Sequence, residues 1–216
     1  MQSRRGVRQM LRGSDIGIGY ALVVLGVALV LHLQPAHDQV ALVQDSSTNI
    51  DNLRHFPLRV LLLSAVVVPD PEGLLILVPL VVFFTACQRW LGRISSIVVF
   101  GIGHVGATLF VAVVLVSQLT RGRLDPGIVH APDVGVSYGL ACLAGLLAAR
   151  TARRLRWAYV LVTAGILVTV LILAPDFTAL GHVVAFGLGS GLALVVHRAV
   201  AAATSSPAKS AGSQLP

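Results

Sequence analysis

Charged residues are scarce in this sequence. Only 12% of its 216 residues are charged and 56% are hydrophobic, whereas a soluble domain carries roughly 25% charged residues. A chain with so few solvent-facing side chains does not suit a soluble globular domain. Its mean hydropathy of +0.85 indicates that lipid is its surrounding medium.

Cysteine is also rare, and the two cysteines, Cys87 and Cys142, lie inside apolar runs. This placement excludes a framework of disulfides in aqueous loops, and no Cys-x-x-Cys metal spacing occurs. The net charge of +7 does not indicate nucleic-acid binding, because the basic residues form short clusters between apolar runs. That distribution is typical of charges that set membrane topology.

Long apolar runs are abundant. One membrane span needs about 20 mostly apolar residues, so the chain has room for about six. We predict an all-α, polytopic membrane protein in which the first run is an uncleaved helix. The six predicted spans are residues 16–33, 74–91, 94–119, 134–149, 157–174 and 177–196.

Two segments between the first and second predicted spans need separate treatment. Residues 34–52 are polar, and we predict a loop there. Residues 56–68 are apolar but too short to span, which favours a re-entrant or interfacial segment. The run Pro69-Asp70-Pro71-Glu72-Gly73 then breaks the chain.

Arginine placement predicts the orientation. With both termini in the cytoplasm, six crossings leave most of the 16 basic residues on the inner side. We therefore expect a cytoplasmic segment at 1–15, a membrane domain at 16–198 and a disordered cytoplasmic tail at 199–216. The Arg-rich, Ala/Val/Gly-heavy composition suggests a bacterium, and hence the plasma membrane.

Glycines concentrate in the fourth and sixth predicted spans. Small residues let helix backbones approach closely in lipid, so these two spans should be central. The first and fifth, rich in Val, Leu and Ile, should face lipid.

Two polar side chains share a predicted depth on the two glycine-rich spans. Ser137 lies roughly 6 Å and His182 roughly 9 Å below the outer ends of their helices, at about 1.5 Å per residue. An imidazole can activate a serine hydroxyl as a nucleophile, and Gly135 opens space beside it. The alternative is a serine that bonds a carbonyl one turn back.

The order of these features resembles the rhomboids, a family of six-helix intramembrane serine proteases. Gly135-Val136-Ser137 and Gly181-His182 stand where that family has its Gly-x-Ser motif on the fourth helix and its catalytic histidine on the sixth. Leu58-Arg59 with Leu63-Ser64-Ala65 is similar to the family's first-loop motifs, and Arg89-Trp90-Leu91-Gly92 to the end of its second helix. Gly189, seven residues after the histidine, matches a small position on the sixth helix. The resemblance covers roughly residues 59–196 and implies a Ser137/His182 dyad.

The sequence also departs from the family pattern. The stretch at 73–77 lacks the His-x-x-x-Asn motif whose side chains help to bind the oxyanion in rhomboid proteases. Tyr138 replaces the glycine that usually follows the serine, Ala185 replaces a glycine after the histidine, and Cys87 stands where an acid is common. Loss of one oxyanion donor costs about 100- to 1000-fold in rate, although backbone N–H groups near Ser137 remain available.

Other polar residues have simpler interpretations. His104 and Thr108 share one helix face. We favour for His104 a hydrogen bond to a neighbouring helix, against a replacement oxyanion donor or a proton relay. Asp133 and Asp176 are predicted helix caps.

Three functions remain open. The first is an intramembrane serine peptidase that uses Ser137 and His182, with support from Gly135, Tyr138 and His104, needs no metal or cofactor, and cleaves a membrane-protein substrate near the outer face. The second is an inactive rhomboid-like protein that binds membrane-protein clients. The third, disfavoured by the absence of an apparent inverted repeat, is a small transporter in which His104 handles protons or ions.

Overall fold

The computed structural model describes the backbone of residues 13–205 and the side chains of residues 13–196. The expected cytoplasmic segment at 1–15 therefore lies almost entirely outside the described residues, as does the tail beyond residue 205. The described chain is built from helices. They are α1 (Asp15–His32), α2 (Ala36–Ser46), α3 (Ile50–His55), α4 (Pro57–Ser64), a 3₁₀ turn (Pro71–Ile76), α5 (Leu77–Leu91), α6 (Arg93–Thr120), a 3₁₀ turn (Pro126–His130), α7 (Ser137–Leu147), α8 (Arg153–Leu173) and α9 (Phe177–Ser205).

The six-helix prediction is confirmed in outline. Five segments are long and apolar enough to cross a membrane: α1, the 3₁₀ turn with α5, α6, α8 and α9. The sixth, α7, is apolar but has only 11 residues. It is shorter than the predicted span at 134–149 because residues 134–136 and 148–149 are not helical. At the other end of the chain, α9 continues through residues 199–205 of the expected tail.

The prediction of a loop over residues 34–52 is wrong. Helix α2 occupies most of this segment, and Asn49 caps α3 by accepting a hydrogen bond from the Asn52 N–H at 2.8 Å. Polar composition misled the prediction, since Ala, Gln and Leu are good helix formers whatever their exposure. Pro35 is the N-cap residue of α2, where its missing N–H costs the helix no hydrogen bond.

Helix α7 is the centre of the bundle. It packs most extensively against α9 and next against α6. Seven of its residues are buried: Tyr138, Gly139, Cys142, Leu143, Ala144, Gly145 and Leu146. Peripheral α8, in contrast, buries no residue, as expected for a lipid-facing helix.

Glycines permit the close approach of the central helices. A Cβ on Gly189 of α9 would stand 1.9 Å from the Cys142 carbonyl oxygen, and one on Gly103 of α6 would stand 2.1 Å from the Cys142 Cβ. A Cβ on Gly145 would meet the Phe186 carbonyl oxygen at 2.3 Å. Backbone therefore meets backbone here, as small residues allow in lipid.

Candidate active site

Ser137 is the first residue of α7 and is only partly buried. The chain reaches it through Gly135, whose φ of +125° is a conformation that L side chains rarely adopt. The Gly135 N–H donates to the Ser64 carbonyl oxygen at 2.8 Å. The Gly-x-Ser motif is thus a bend that hydrogen-bonds α4 and places the Ser137 hydroxyl at the start of α7.

The first turn of α7 presents unpaired backbone donors. The first N–H to bond within the helix is that of Leu140, which donates to the Val136 carbonyl oxygen at 3.1 Å. The N–H groups of Ser137, Tyr138 and Gly139 have no backbone acceptor within the described chain. Donors of this kind, aligned with a helix dipole, can stabilise a developing negative charge.

His182 lies near the start of α9 and is also partly buried. Asp176 caps this helix, accepting from the Ala179 N–H at 2.5 Å, which confirms its predicted role. The His182 ring meets the Tyr138 ring edge to face, with centroids 5.3 Å apart. A Cβ on Gly181 would stand 2.3 Å from Tyr138 Cζ, so the tyrosine fits only because residue 181 is glycine.

The structure brings the starts of α7 and α9 together through Tyr138. Within the described residues, no hydrogen bond joins the Ser137 hydroxyl to the His182 ring. Tyr138, the residue that departs from the rhomboid pattern, therefore makes the described side-chain contact with the histidine.

Asp133 belongs to a buried polar cluster that the sequence did not reveal. Its prediction as the cap of α7 is wrong, because the helix starts four residues later without a side-chain cap. Its carboxylate instead accepts from the Tyr138 hydroxyl at 3.2 and 3.3 Å. Ser47 and Thr48 bind its main chain: the Asp133 N–H donates to Ser47 Oγ at 2.7 Å, and Thr48 Oγ1 donates to the Asp133 carbonyl oxygen at 2.9 Å.

Burial raises the pKa of Asp133 to about 6, with the nearby Asp176 charge adding to the rise and the hydrogen bonds from Tyr138 and Thr48 opposing it. The only sequence signal for this cluster was the run Ser46-Ser47-Thr48-Asn49, whose members are all buried although a polar run usually indicates an exposed loop.

His104 faces α4. Its Nε2 lies 3.0 Å from the Leu61 carbonyl oxygen and 3.2 Å from Ser64 Oγ. This geometry matches the favoured interpretation of a histidine that hydrogen-bonds a neighbouring helix. Thr108, on the same face, has a buried hydroxyl without a partner in the described chain, and it lines a small cavity that Asp133 and Thr48 also line.

The oxyanion motif absent from the sequence has no evident replacement at the start of α5. Residues 73–77 form the end of a 3₁₀ turn and the first residue of that helix. Among the side chains of residues 13–196, no three His, Cys, Asp or Glu groups come together as a metal site would require.

A protein-family model described as "Rhomboid-like protein" matches residues 9–201, which cover α1 to α8 completely and α9 as far as residue 201. The chain belongs to the rhomboid-like protein family. Searches of curated proteins and of solved structures return no significant match. For this rhomboid-like protein, membership together with the apolar helices establishes a multi-pass membrane protein. Its chemistry has to be argued from the residues of the site.

Proposed function

We propose that this rhomboid-like protein is an intramembrane serine peptidase with Ser137 as nucleophile and His182 as base. One observation carries the proposal: a partly exposed serine begins α7 among free N–H donors, one residue from the tyrosine that touches His182. A nucleophile, a base and oxyanion donors are the three parts that acyl transfer requires.

The reaction follows from these parts. Ser137 Oγ attacks the scissile carbonyl carbon while His182 takes the hydroxyl proton. The N–H groups at the start of α7 bind the resulting oxyanion, in place of the missing side-chain donors. When the intermediate collapses, the C–N bond breaks and His182 gives its proton to the leaving amine. Water then attacks the ester in the same way, which releases the acid and restores Ser137.

The substrate class follows from the setting. Both residues lie at the starts of apolar helices, so the substrate must be a peptide segment available at the membrane boundary, such as the unwound end of a membrane-protein span. We further propose the plasma membrane as the location, with both termini in the cytoplasm, from the distribution of arginines.

One observation favours a second candidate, an inactive rhomboid-like protein that binds membrane-protein clients. The Tyr138 ring packs against His182, and the described chain shows no hydrogen bond from the imidazole to Ser137. Catalytic hydrogen bonds are often long in unliganded enzymes and tighten with substrate, so we place the peptidase first.

A serine-directed fluorophosphonate probe on the purified protein tests the proposal. We expect wild-type labelling at Ser137, none in Ser137→Ala, and labelling at least about 100-fold slower in His182→Ala. Matched controls are Ser190→Ala, which removes a buried hydroxyl on α9, and His130→Ala at the exposed end of the 3₁₀ turn Pro126–His130, where Gln44 bonds the main-chain carbonyl and not the imidazole. Both should label like wild type.

Two results would count against the peptidase. A folded wild type without labelling favours the client-binding protein. Labelling that survives Ser137→Ala places the nucleophile elsewhere.

A further inference from the structure

We propose that His104 is a positioning residue for Ser137, acting through α4 and Gly135. This inference rests on the proposed function, because it assigns a role toward the same nucleophile. It differs from an oxyanion role, since the imidazole reaches Ser137 only through other groups.

The first step is the link from α6 to α4. A carbonyl oxygen can only accept, so the 3.0 Å contact requires His104 Nε2 to carry the proton and donate to Leu61. Ser64 Oγ lies 3.2 Å from the same nitrogen. Nδ1, which has no partner, is then a bare acceptor, which is easier to bury than a bare donor. His104 and Ser64 are 4% and 0% exposed, so water does not compete for these bonds.

The second step is the link from α4 to the nucleophile. The Ser64 carbonyl oxygen accepts the Gly135 N–H at 2.8 Å. Gly135 has the positive φ that turns the chain into α7, and a Cβ on it would lie 4.0 Å from Ser137 Oγ. Two hydrogen-bonded contacts thus connect the imidazole to the bend beside the hydroxyl.

The third step is that α6 holds the other side of the same turn directly. The Phe100 ring stacks on His104 with centroids 6.5 Å apart, and a Cβ on Gly139 would stand 2.2 Å from Phe100 Cε2. One turn of α6 therefore fixes both the bend before Ser137 and the helix after it. A shift of about 1 Å in a reacting group can cost about 100-fold in rate, so this support has kinetic consequences.

The test compares two substitutions of His104 by amide side chains of different length. Gln places its nitrogen the same number of bonds from Cα as His Nε2, so His104→Gln should keep the bond to Leu61. His104→Asn is one bond shorter and should lose it. Thr108→Val is the matched control, because it changes a buried side chain one turn away that makes no hydrogen bond in the described chain.

The first readout is amide hydrogen exchange at Gly135, followed by mass spectrometry of the peptide that contains residues 134–140. It does not depend on activity. We expect wild type, His104→Gln and Thr108→Val to exchange alike, and His104→Asn to exchange at least about tenfold faster. Equal exchange in all four, or a Gln variant that behaves like Asn, would overturn the proposal.

The second readout is the fluorophosphonate labelling rate at rising probe concentration. A positioning role lowers the maximal rate of His104→Asn by about tenfold or more, with the half-saturating concentration unchanged and the rate restored in His104→Gln. An unchanged maximal rate would overturn the role toward Ser137. If wild type itself does not label, the peptidase proposal fails, and the exchange measurement alone decides whether the link to Gly135 exists.

Should His104→Asn not fold, Ser64→Ala takes its place. This variant keeps the Ser64 carbonyl but removes the hydroxyl that contacts the imidazole, so exchange at Gly135 should rise about threefold. Exchange unchanged from wild type would then overturn the proposal.

Discussion

Helices α7 and α8 are neighbours in the chain, yet they differ in almost every physical respect. Most of α7 is buried, and it carries the glycine contacts and the candidate nucleophile. Helix α8 is longer, buries nothing and leaves Leu161 and Ile166 exposed. In lipid, exposure of an apolar residue carries no free-energy penalty. The effect of a substitution on stability should therefore depend on how tightly the residue is packed rather than on its hydrophobicity. Four predictions test that contrast, from the largest effect to the smallest.

The largest effect is expected at Gly189. In Gly189→Ala the new methyl would stand 1.9 Å from the Cys142 carbonyl oxygen, so α7 and α9 must separate. We expect a loss of more than about 4 kcal/mol and little folded protein. Size-exclusion chromatography and thermal unfolding in detergent would measure it. Gly187→Ala on the same helix, where nothing lies within 4 Å, should behave like wild type; equal damage in both would refute the close-packing explanation.

Asp133 gives the next effect, which depends on pH. Its folded pKa of about 6 is above the ordinary 3.8, so the folded state binds the proton more tightly. The stabilisation that protonated Asp133 contributes to folding is complete below about pH 4. It falls by up to about 3 kcal/mol as the pH rises through about 6. Asp176 and Tyr138 are the titratable groups that face it.

The measurement is the unfolding temperature in detergent at pH 5 and pH 7.5. Wild type should be more stable at pH 5, and Asp133→Asn should lose most of that difference. Asp125→Asn, at an exposed carboxylate, is the control and should keep it. If the difference in unfolding temperature between pH 5 and pH 7.5 persists in Asp133→Asn, another titrating group causes it.

Truncating an apolar side chain should cost more stability in α7 than in α8, and this difference is smaller than the two effects above. Leu143→Ala in α7 removes a side chain that is 0% exposed and leaves a cavity, at a cost of about 2 kcal/mol. Ile166→Ala in α8 removes one that is 60% exposed and should cost less than about 0.5 kcal/mol. Thermal unfolding measures both, and similar losses would mean that α8 is packed against something in the membrane.

The smallest effect concerns the polar contact between the two helices. The Tyr159 hydroxyl of α8 donates to the Ala144 carbonyl oxygen of α7 at 2.8 Å. Tyr159→Phe should cost about 1 kcal/mol, measured as a lower unfolding temperature. Trp157→Phe, at an exposed α8 position, is the control. A loss in Trp157→Phe as large as that in Tyr159→Phe would show that the hydroxyl contributes nothing.

The membrane fold could be predicted because lipid imposes a length and a composition on each span, and five segments met both. Helix α2 was missed because an exposed polar helix has no such signature. Its start after Pro35 and its helix-forming residues were the available signals. Helix α7 is shorter than predicted partly because the bend at Gly135, which has a positive φ, delays the start of the helix, and one sequence does not reveal a positive φ.

The candidate site was less predictable than the fold. Residue spacing suggested that Ser137 and His182 share a depth, but the Tyr138 ring between their helices and its bond to Asp133 depend on long-range packing. The same holds for His104. The sequence predicted the helix face on which it lies, whereas its hydrogen-bond acceptor, the Leu61 carbonyl, belongs to a segment 43 residues away.

The enclosure of Cys142 between Gly103 and Gly189 has a practical consequence. Cys142 and Cys87 are both 0% exposed, so maleimide reagents should leave the native thiols untouched in the folded protein. A spin label or fluorophore could then be attached through a single cysteine introduced on α8 without first deleting the natural ones, and its mobility would be measured in a protein with an unaltered core.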